Sequence, residues 1–225
     1  MSVKGKKVGF VGAGNMGEAL IRGLVQSNLV PADTILVADV RTDRVQQLTD
    51  QYGLRALAGN AALVRGADVV ILAVKPQIMA AVLRETLPAL TNRPLLISLA
   101  AGVSTATIQS ILGKYPRLIR VMPNTPALVL EGATAIARTP GLDQDDLETA
   151  QEIFAAVGRV VVLDEEHMDA VTGLHPGALK DMVSSPGGTT ISGIAALEEG
   201  GVRTTFIRAV ERATLRSREL GRGPA

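Results

Sequence analysis

A doubly wound, parallel α/β sheet followed by a small all-helical domain is the architecture that three observations predict. A short apolar run over residues 8–11 breaks into Gly12, Gly14 and Gly17, after which Met16, Leu20, Ile21 and Leu24 recur at helical spacing. Apolar stretches of strand length then alternate with stretches of helix length, the pattern of a parallel sheet with crossover helices. Beyond Asp164 no strand pattern remains, and the apolar residues fall at helical intervals. We therefore expect an α/β domain over residues 1–164 and a helical domain over residues 165–225.

The first strand and its glycines have a chemical meaning. Gly12 permits a tight turn, Gly14 lets the backbone approach a pyrophosphate, and Gly17 lets the helix pack on the strand, with free amide groups at the helix start facing the anion. A bare G-x-G-x-x-G is weak, but a second strand over residues 34–38 ends at Asp39, about 20 residues beyond the last glycine, where a ribose-binding acid is expected. The pair of signals predicts a Rossmann-type dinucleotide site. Asp39 favours a free ribose 2'-hydroxyl, whereas Arg41 has the charge to pair with a 2'-phosphate, so both NAD and NADP fit at this point.

The next helix, residues 41–52, turns Val45 and Leu48 inward and stops at Gly53, before a short strand over residues 54–56 and a helical turn over residues 60–65. The strand over residues 67–73 leads into Val74, Lys75 and Pro76, and that over residues 95–99 into Ala100, Ala101 and Gly102. Ligands of open α/β sheets lie at the carboxyl ends of strands, so both endings belong to the crevice of the glycine turn, and their small residues leave room for a flat ring. Lys75 reads either as a solvated strand-end lysine or as a group beside cofactor ribose or substrate. A strand over residues 118–121 runs into Met122, Pro123, Asn124, Thr125 and Pro126, a stiff loop. Strands over residues 134–137 and 160–163 flank a helix over residues 144–157.

In the helical part, Met168, Val171 and Leu174 mark one helix and Leu179, Met182 and Val183 another. Residues 184–190, SSPGGTT, open a helix over residues 191–199. Small hydroxyl-bearing residues ahead of a helix either cap it or form a second anion site suited to a carboxylate. The last helix, residues 202–220, has one apolar face for core packing or a dimer seam.

The 225 residues provide ample material for a core, and 23 Lys and Arg against 22 Asp and Glu leave a formal charge of +1. With no long basic run and few aromatics, nothing resembles a nucleic-acid binder. The absence of Cys excludes disulfides, thiolate metal sites and a cysteine nucleophile. His167 and His175 have no second ligand at metal spacing, so no metal is expected. The N-terminal residues lack a signal-peptide pattern, and the longest apolar runs fall far short of the roughly 20 residues that span a bilayer. A cytoplasmic protein without membrane contact is expected.

The motifs VGFVGAGNMGEAL, ILAVKPQ, SLAAGV, RVMPNTPALV, MDAVTGL, HPGALKDMVSSPGGTTI and ALEEGG follow one another along nearly the whole chain, which resembles the pyrroline-5-carboxylate reductase family. The resemblance implies reduction of a small cyclic imine carboxylate, 1-pyrroline-5-carboxylate, to L-proline with NADPH or NADH, in a homodimer or higher homo-oligomer. It implies that Gly12, Ala13, Gly14, Asn15, Met16 and Gly17 hold the pyrophosphate. Asn60, Ala73, Val74, Lys75, Pro76, Ala100 and Ala101 would line the rest of the cofactor groove, with Met122, Pro123 and Asn124 near the nicotinamide. Ser185, Gly187, Gly188, Thr189 and Thr190 would hold the substrate carboxylate and ring nitrogen, Thr190 bonding that nitrogen as the catalytic candidate. In the family, MDAVTGL continues into a glycine- and serine-rich turn and a pair of long helices, whereas here Leu174 abuts His175 directly. A chain lacking that segment is expected to bind cofactor with impaired turnover. Two other readings are a related imine or hydroxy-acid dehydrogenase, and a nucleotide-binding protein without turnover.

Overall fold

The computed structural model describes residues 3–113, 115, 117–169, 212 and 215. Among them one sheet contains β1 (Val8–Val11), β2 (Ile35–Ala38), β3 (Arg55–Ala56), β4 (Val69–Leu72), β5 (Leu95–Ser98), β6 (Leu118–Pro123), β7 (Gly132–Arg138) and β8 (Gly158–Asp164). The order is β3-β2-β1-β4-β5-β6-β7-β8. The helices are α1 (Asn15–Gln26), α2 (Thr42–Tyr52), α3 (Asn60–Gly66), α4 (Pro76–Thr86), α5 (Thr105–Leu112) and α6 (Gln144–Ala155).

Every residue of β1, β2, β4 and β5 is buried, as it must be where helices cover both faces of a parallel sheet. Alternation along the strands divides them between two cores. Val8, Phe10, Val37, Ile71 and Ile97 pack with Leu20 of α1, Leu48 of α2 and Phe154 of α6. Val11, Leu36, Val70, Leu72 and Leu96 pack with Leu63 of α3, Met79 and Leu83 of α4 and Ile108 of α5. Each of these side chains, taken fully out of water, contributes roughly 1.5–3 kcal/mol before the entropy of ordering it is subtracted.

The structure differs from the sequence reading in three places. The sheet is not parallel throughout: β1 to β6 are, but β7 runs antiparallel to β6, with Met122 opposite Ala135 and Pro123 opposite Thr134, before β8 pairs parallel to β7. The connection from Pro123 to Gly132 is too short for the dozen or more residues that a parallel crossover needs. Met122 and Pro123 therefore belong to β6 itself, and the tight turn comes later, over Thr125–Val129. Lastly, α4 and α5 occupy stretches that the apolar spacing left without an element. Pro76 ends a strand pattern by eye yet stands at the first position of α4, where its missing N–H costs nothing, and α5 is short and rich in Thr and Ile, with Ser104 capping it by accepting the Thr107 N–H at 3.1 Å.

After β8 a short turn, Glu165–His167, is fastened back to the sheet. Arg120 of β6 is buried and pairs with Asp169 at 2.8 Å and Glu165 at 3.9 Å, while Glu165 also accepts the Thr105 N–H at 2.7 Å and the Thr105 hydroxyl. Val171 and Leu174 of the first expected helix, the helices expected over residues 179–183 and 191–199 and the motif at 184–190 lie outside the described residues, and of the helix expected over 202–220 only residues 212 and 215, both helical, are described.

Tyr115 is buried against the second core, and its hydroxyl donates to the Pro94 carbonyl at 2.7 Å. Burial pushes its phenol up to about 12, and burial with the nearby Glu18 carboxylate raises Tyr52 as well. The folded state thus holds both phenols neutral: their contribution to stability is complete below the ordinary value of about 10 and declines as pH rises through that value towards the folded one. The chain has no Trp and only these two tyrosines, so ultraviolet titration should place both tyrosinate transitions above the ordinary value, with Tyr115 the later at about 12. Tyr115→Phe should remove the later step; a full two-tyrosine step near 10 in folded protein would contradict this packing.

Candidate functional site

The order of strands reverses between β1 and β4, and it is there, at their carboxyl ends, that a crevice opens. Gly12 leaves β1 at φ +101°, a conformation L side chains rarely adopt, and a Cβ on it would stand 2.7 Å from the Ala73 carbonyl oxygen. Its N–H donates to Ala38 of β2 at 2.9 Å, so the turn is gripped between the ends of β2 and β4. Gly17 is bare for a second reason, since a Cβ there would meet the Gly12 carbonyl oxygen at 2.7 Å. Gly14 is the contrasting case: its φ is −71° and nothing lies within 4 Å of where its Cβ would be. The open space over it is the crevice. No side chain caps α1, so the amide groups of its first turn are left for a ligand.

The crevice has a volume of about 580 Å³. Gly12, Gly14 and Asn15 form its floor with Ala73 and Val74, while Asp39, Arg41, Asn60 and Lys75 supply polar groups. Val40 and Ile78 leave apolar surface bare at the same cleft, Val40 at 92 % exposure. A glycine cradle beneath an uncapped helix, a cation on two sides and apolar edges suit a ligand combining phosphates, sugars and a flat ring. The residues present therefore fit a dinucleotide.

Several expected site residues do not line this cleft. Ala13 is buried, and Gly17 serves the packing of the turn. Met16 lies partly buried against the first core, and Pro76 begins α4. Ala100 and Ala101 follow β5, and Met122 and Pro123 end β6, away from its wall. Asn124 uses its side-chain oxygen to accept the Ala133 N–H at 2.8 Å, closing the turn between β6 and β7. Asn60 does line the cleft, and donates its amide to Glu85 at 3.0 Å. Ser185, Gly187, Gly188, Thr189 and Thr190 lie outside the described residues.

The structure gives Asp39 partners inside the protein and also brings in arginines that the sequence reading passed over. Asp39 accepts the Ala13 N–H at 2.7 Å and the Arg41 N–H at 2.9 Å. Burial alone would raise its carboxyl, but those two backbone donors, helped by the Arg41 side chain, hold it below the usual carboxylate value. Arg44 of α2 donates its Nε to the Ala13 carbonyl at 3.1 Å and a terminal nitrogen to Glu18 of α1. Arg22 of α1 donates to the Leu128 carbonyl, holding the turn after β6. Arginines on the polar side of a helix read in sequence as solvated, and nothing in their spacing marks a contact across the chain. Among the described residues no group of three or more His, Asp or Glu converges as a metal site, and no helix is long and apolar enough to cross a membrane.

Comparisons with known proteins match two stretches of the chain. Residues 7–102 match the family described as NADP oxidoreductase, coenzyme F420-dependent, and residues 121–220 match pyrroline-5-carboxylate reductase dimerisation. The pyrroline-5-carboxylate reductase of Methanosarcina acetivorans is 38 % identical, with 98 % of this chain and 100 % of that protein covered. That alignment runs over 269 positions against a chain of 225 residues, so a run of the relative has no counterpart here. Among solved structures, a pyrroline-5-carboxylate reductase from Coxiella burnetii superposes with a TM-score of 0.81 at 30 % identity, covering 96 % of this chain and 98 % of that one. The pyrroline carboxylate reductase of Plasmodium falciparum, solved with NADP bound, gives 0.75 at 26 % identity, covering 97 % and 99 %. With the glycine crevice at one end of the chain, the dimerisation match at the other and a relative of this identity along both, the chain belongs to the pyrroline-5-carboxylate reductase family.

Proposed function

We propose that this chain is a pyrroline-5-carboxylate reductase, reducing 1-pyrroline-5-carboxylate to L-proline with NADPH as the preferred hydride source and NADH as the alternative. The observation that carries the reading is the 38 % identity to the Methanosarcina acetivorans enzyme along nearly the whole of both chains. The dinucleotide crevice and the NADP in the Plasmodium falciparum relative support the cofactor.

When bound, the dinucleotide supplies a hydride, which with one proton turns the C=N bond into a secondary amine. The chain's own part is binding and orientation. The amides of Gly14, Asn15 and Met16 at the start of α1 receive the pyrophosphate; Arg41, Asn60 and Lys75 lie along the ribose and phosphate side, and Ala100, Ala101, Met122, Pro123 and Asn124 adjoin the nicotinamide. Ser185, Gly187, Gly188 and Thr189 hold the substrate carboxylate, and the Thr190 hydroxyl bonds the ring nitrogen as its charge changes. A protonated imine is already electrophilic, so no histidine or acid pair has to activate it. Residues 165–225 form the substrate and dimerisation half of a cytoplasmic homodimer or higher oligomer, shortened between Leu174 and His175.

The alignment of 269 positions against 225 residues favours one second reading, a chain that binds cofactor but turns over poorly. Intact mass followed by NADPH oxidation in the same sample separates the two. Protein of the mass of 225 residues that forms proline at an ordinary enzymatic rate supports the reductase in full; tight cofactor binding without substrate-dependent oxidation supports the impaired form. Reduction of NADP+ by a hydroxy acid, with no NADPH oxidation by the cyclic imine, would overturn both.

The glycines give a sharper test of the cofactor site. Gly14→Ala puts a methyl group into open crevice without backbone strain, so thermal unfolding should be unchanged while the Kd for NADPH rises about tenfold, or roughly 1.4 kcal/mol. Gly12→Ala forces a positive φ and a contact with Ala73, and should lower the urea-unfolding free energy by about 2 kcal/mol or more.

A further inference from the structure

Asp39 stands where a ribose-reading acid is expected, yet its carboxylate is already engaged inside the protein. Oδ2 accepts from the Ala13 N–H at 2.7 Å; Oδ1 accepts from the Arg41 N–H at 2.9 Å and lies 3.5 Å from Arg41 Nε. Only 10 % of the side chain is exposed. An ionised carboxylate has about four acceptor positions, so most of its capacity is used, and its charge is spread over N–H donors before any ligand arrives.

Arg44 acts on the other side of the same residue. Its Nε donates to the Ala13 carbonyl at 3.1 Å, and its remaining nitrogens are held by Gln47 at 2.6 Å and by Glu18. The guanidinium is therefore locked in place between α1 and α2 rather than free to reach a ligand. In a trans peptide the C=O and the following N–H point in opposite directions. Arg44 drawing on the Ala13 carbonyl thus turns the Gly14 N–H away from α2, and a cation on that carbonyl makes the N–H a stronger donor. Asp39 does the converse to the preceding peptide: it takes up the Ala13 N–H, removing it from the donors a pyrophosphate can use, and turns the Gly12 carbonyl the other way.

We propose that Asp39 and Arg44 are positioning residues that clamp the two peptides flanking Ala13, and that Asp39 sets the affinity for NADH and NADPH alike instead of choosing between them. The proposal rests on the cofactor reading above. It differs from the expectation for an acid at the end of the second strand, which would favour a free 2'-hydroxyl and repel a 2'-phosphate.

The test compares the Kd values of both dinucleotides, by nucleotide fluorescence or calorimetry, for the full chain, Asp39→Asn and Arg44→Gln. Asn offers one acceptor and one donor, so either the Ala13 or the Arg41 N–H then faces another donor. Each variant should weaken both dinucleotides by about tenfold, with the NADH-to-NADPH ratio held within about twofold. Asp39→Asn weakening NADH alone, or improving NADPH, would overturn the clamp. A second readout needs no cofactor: in amide NMR of the ligand-free chain, the Ala13 proton should shift upfield in Asp39→Asn and the Gly14 proton should move in Arg44→Gln. A merely structural loss lowers the unfolding temperature without these selective shifts, and an unmoved Ala13 resonance would also overturn the proposal. Wild-type chain that binds neither dinucleotide while showing the NMR shifts would overturn the cofactor reading and leave the clamp in the turn supported.

Discussion

The close approach of the glycine turn to the end of β4 is the constraint on which the rest depends. Gly12 can lie on the Ala73 carbonyl only because it has no side chain and accepts a positive φ, and Gly17 lies on Gly12 for the same steric reason. These contacts set where α1 begins, and α1 reaches across the sheet to the later strands. Its Gly23 is pressed against Val157 and the Ala156 carbonyl, where a Cβ would sit 2.6 and 2.7 Å away. Its Arg22 holds the Leu128 carbonyl after β6. A single helix, bare of side chains at its two points of closest contact, thereby ties the dinucleotide turn to the extension made by β7 and β8. Moving the turn would move the segment around Met122 to Asn124 with it.

Charge is placed by the same economy. Buried ions are costly unless paired and hydrogen-bonded, and among the described residues the half-buried Arg117 and the buried Arg120 are so arranged. Arg117 meets Asp146 with two nitrogens, at 2.6 and 3.1 Å, and also donates to the Arg93 carbonyl. Arg120 meets Asp169 and Glu165, and Glu165 in turn caps the start of α5 through Thr105. Arg120 lies two residues before Met122, so the strand that ends beside the proposed nicotinamide position also anchors the first residues leading into the second half of the chain. Asp39 and Arg44 follow the same rule at the crevice. Each has its charge met by protein before any ligand arrives, which leaves Arg41 and Lys75 as the more exposed cations on the wall.

The parts legible in sequence are those fixed by local physics. Strands such as Val69–Leu72 are continuous apolar runs because both faces are buried, and the glycine turn is legible because its spacing reports a steric need. The direction of β7 was hidden, since it depends on counting the short link from Pro123 rather than on any residue in the strand. The roles of Arg44, Arg22 and Glu165 were hidden for a different reason. Their partners are backbone carbonyls, amides and carboxylates far away in sequence, 106 residues in the case of Arg22, and a solvated arginine has the same local pattern. Sequence therefore located the crevice but could not say which of its charged residues face the ligand and which are spent holding the walls.

That distinction bears on how recognition and reaction are divided along the chain. Every residue lining the crevice lies between Val11 and Val82, within the part matched to the NADP oxidoreductase family. The turn, its clamp and the apolar edges are complete without any contribution from later residues. The SPGGTT motif, proposed above to hold the substrate, lies about a hundred residues further on, in the part matched to dimerisation. On the proposed function, a dinucleotide in the crevice must meet an imine held by that later motif, and the reaction then depends on their relative placement to within fractions of an ångström. The lining of the dinucleotide crevice is thus a property of the first half, whereas turnover, on the proposed function, depends on the junction where residues 122–124 adjoin the nicotinamide.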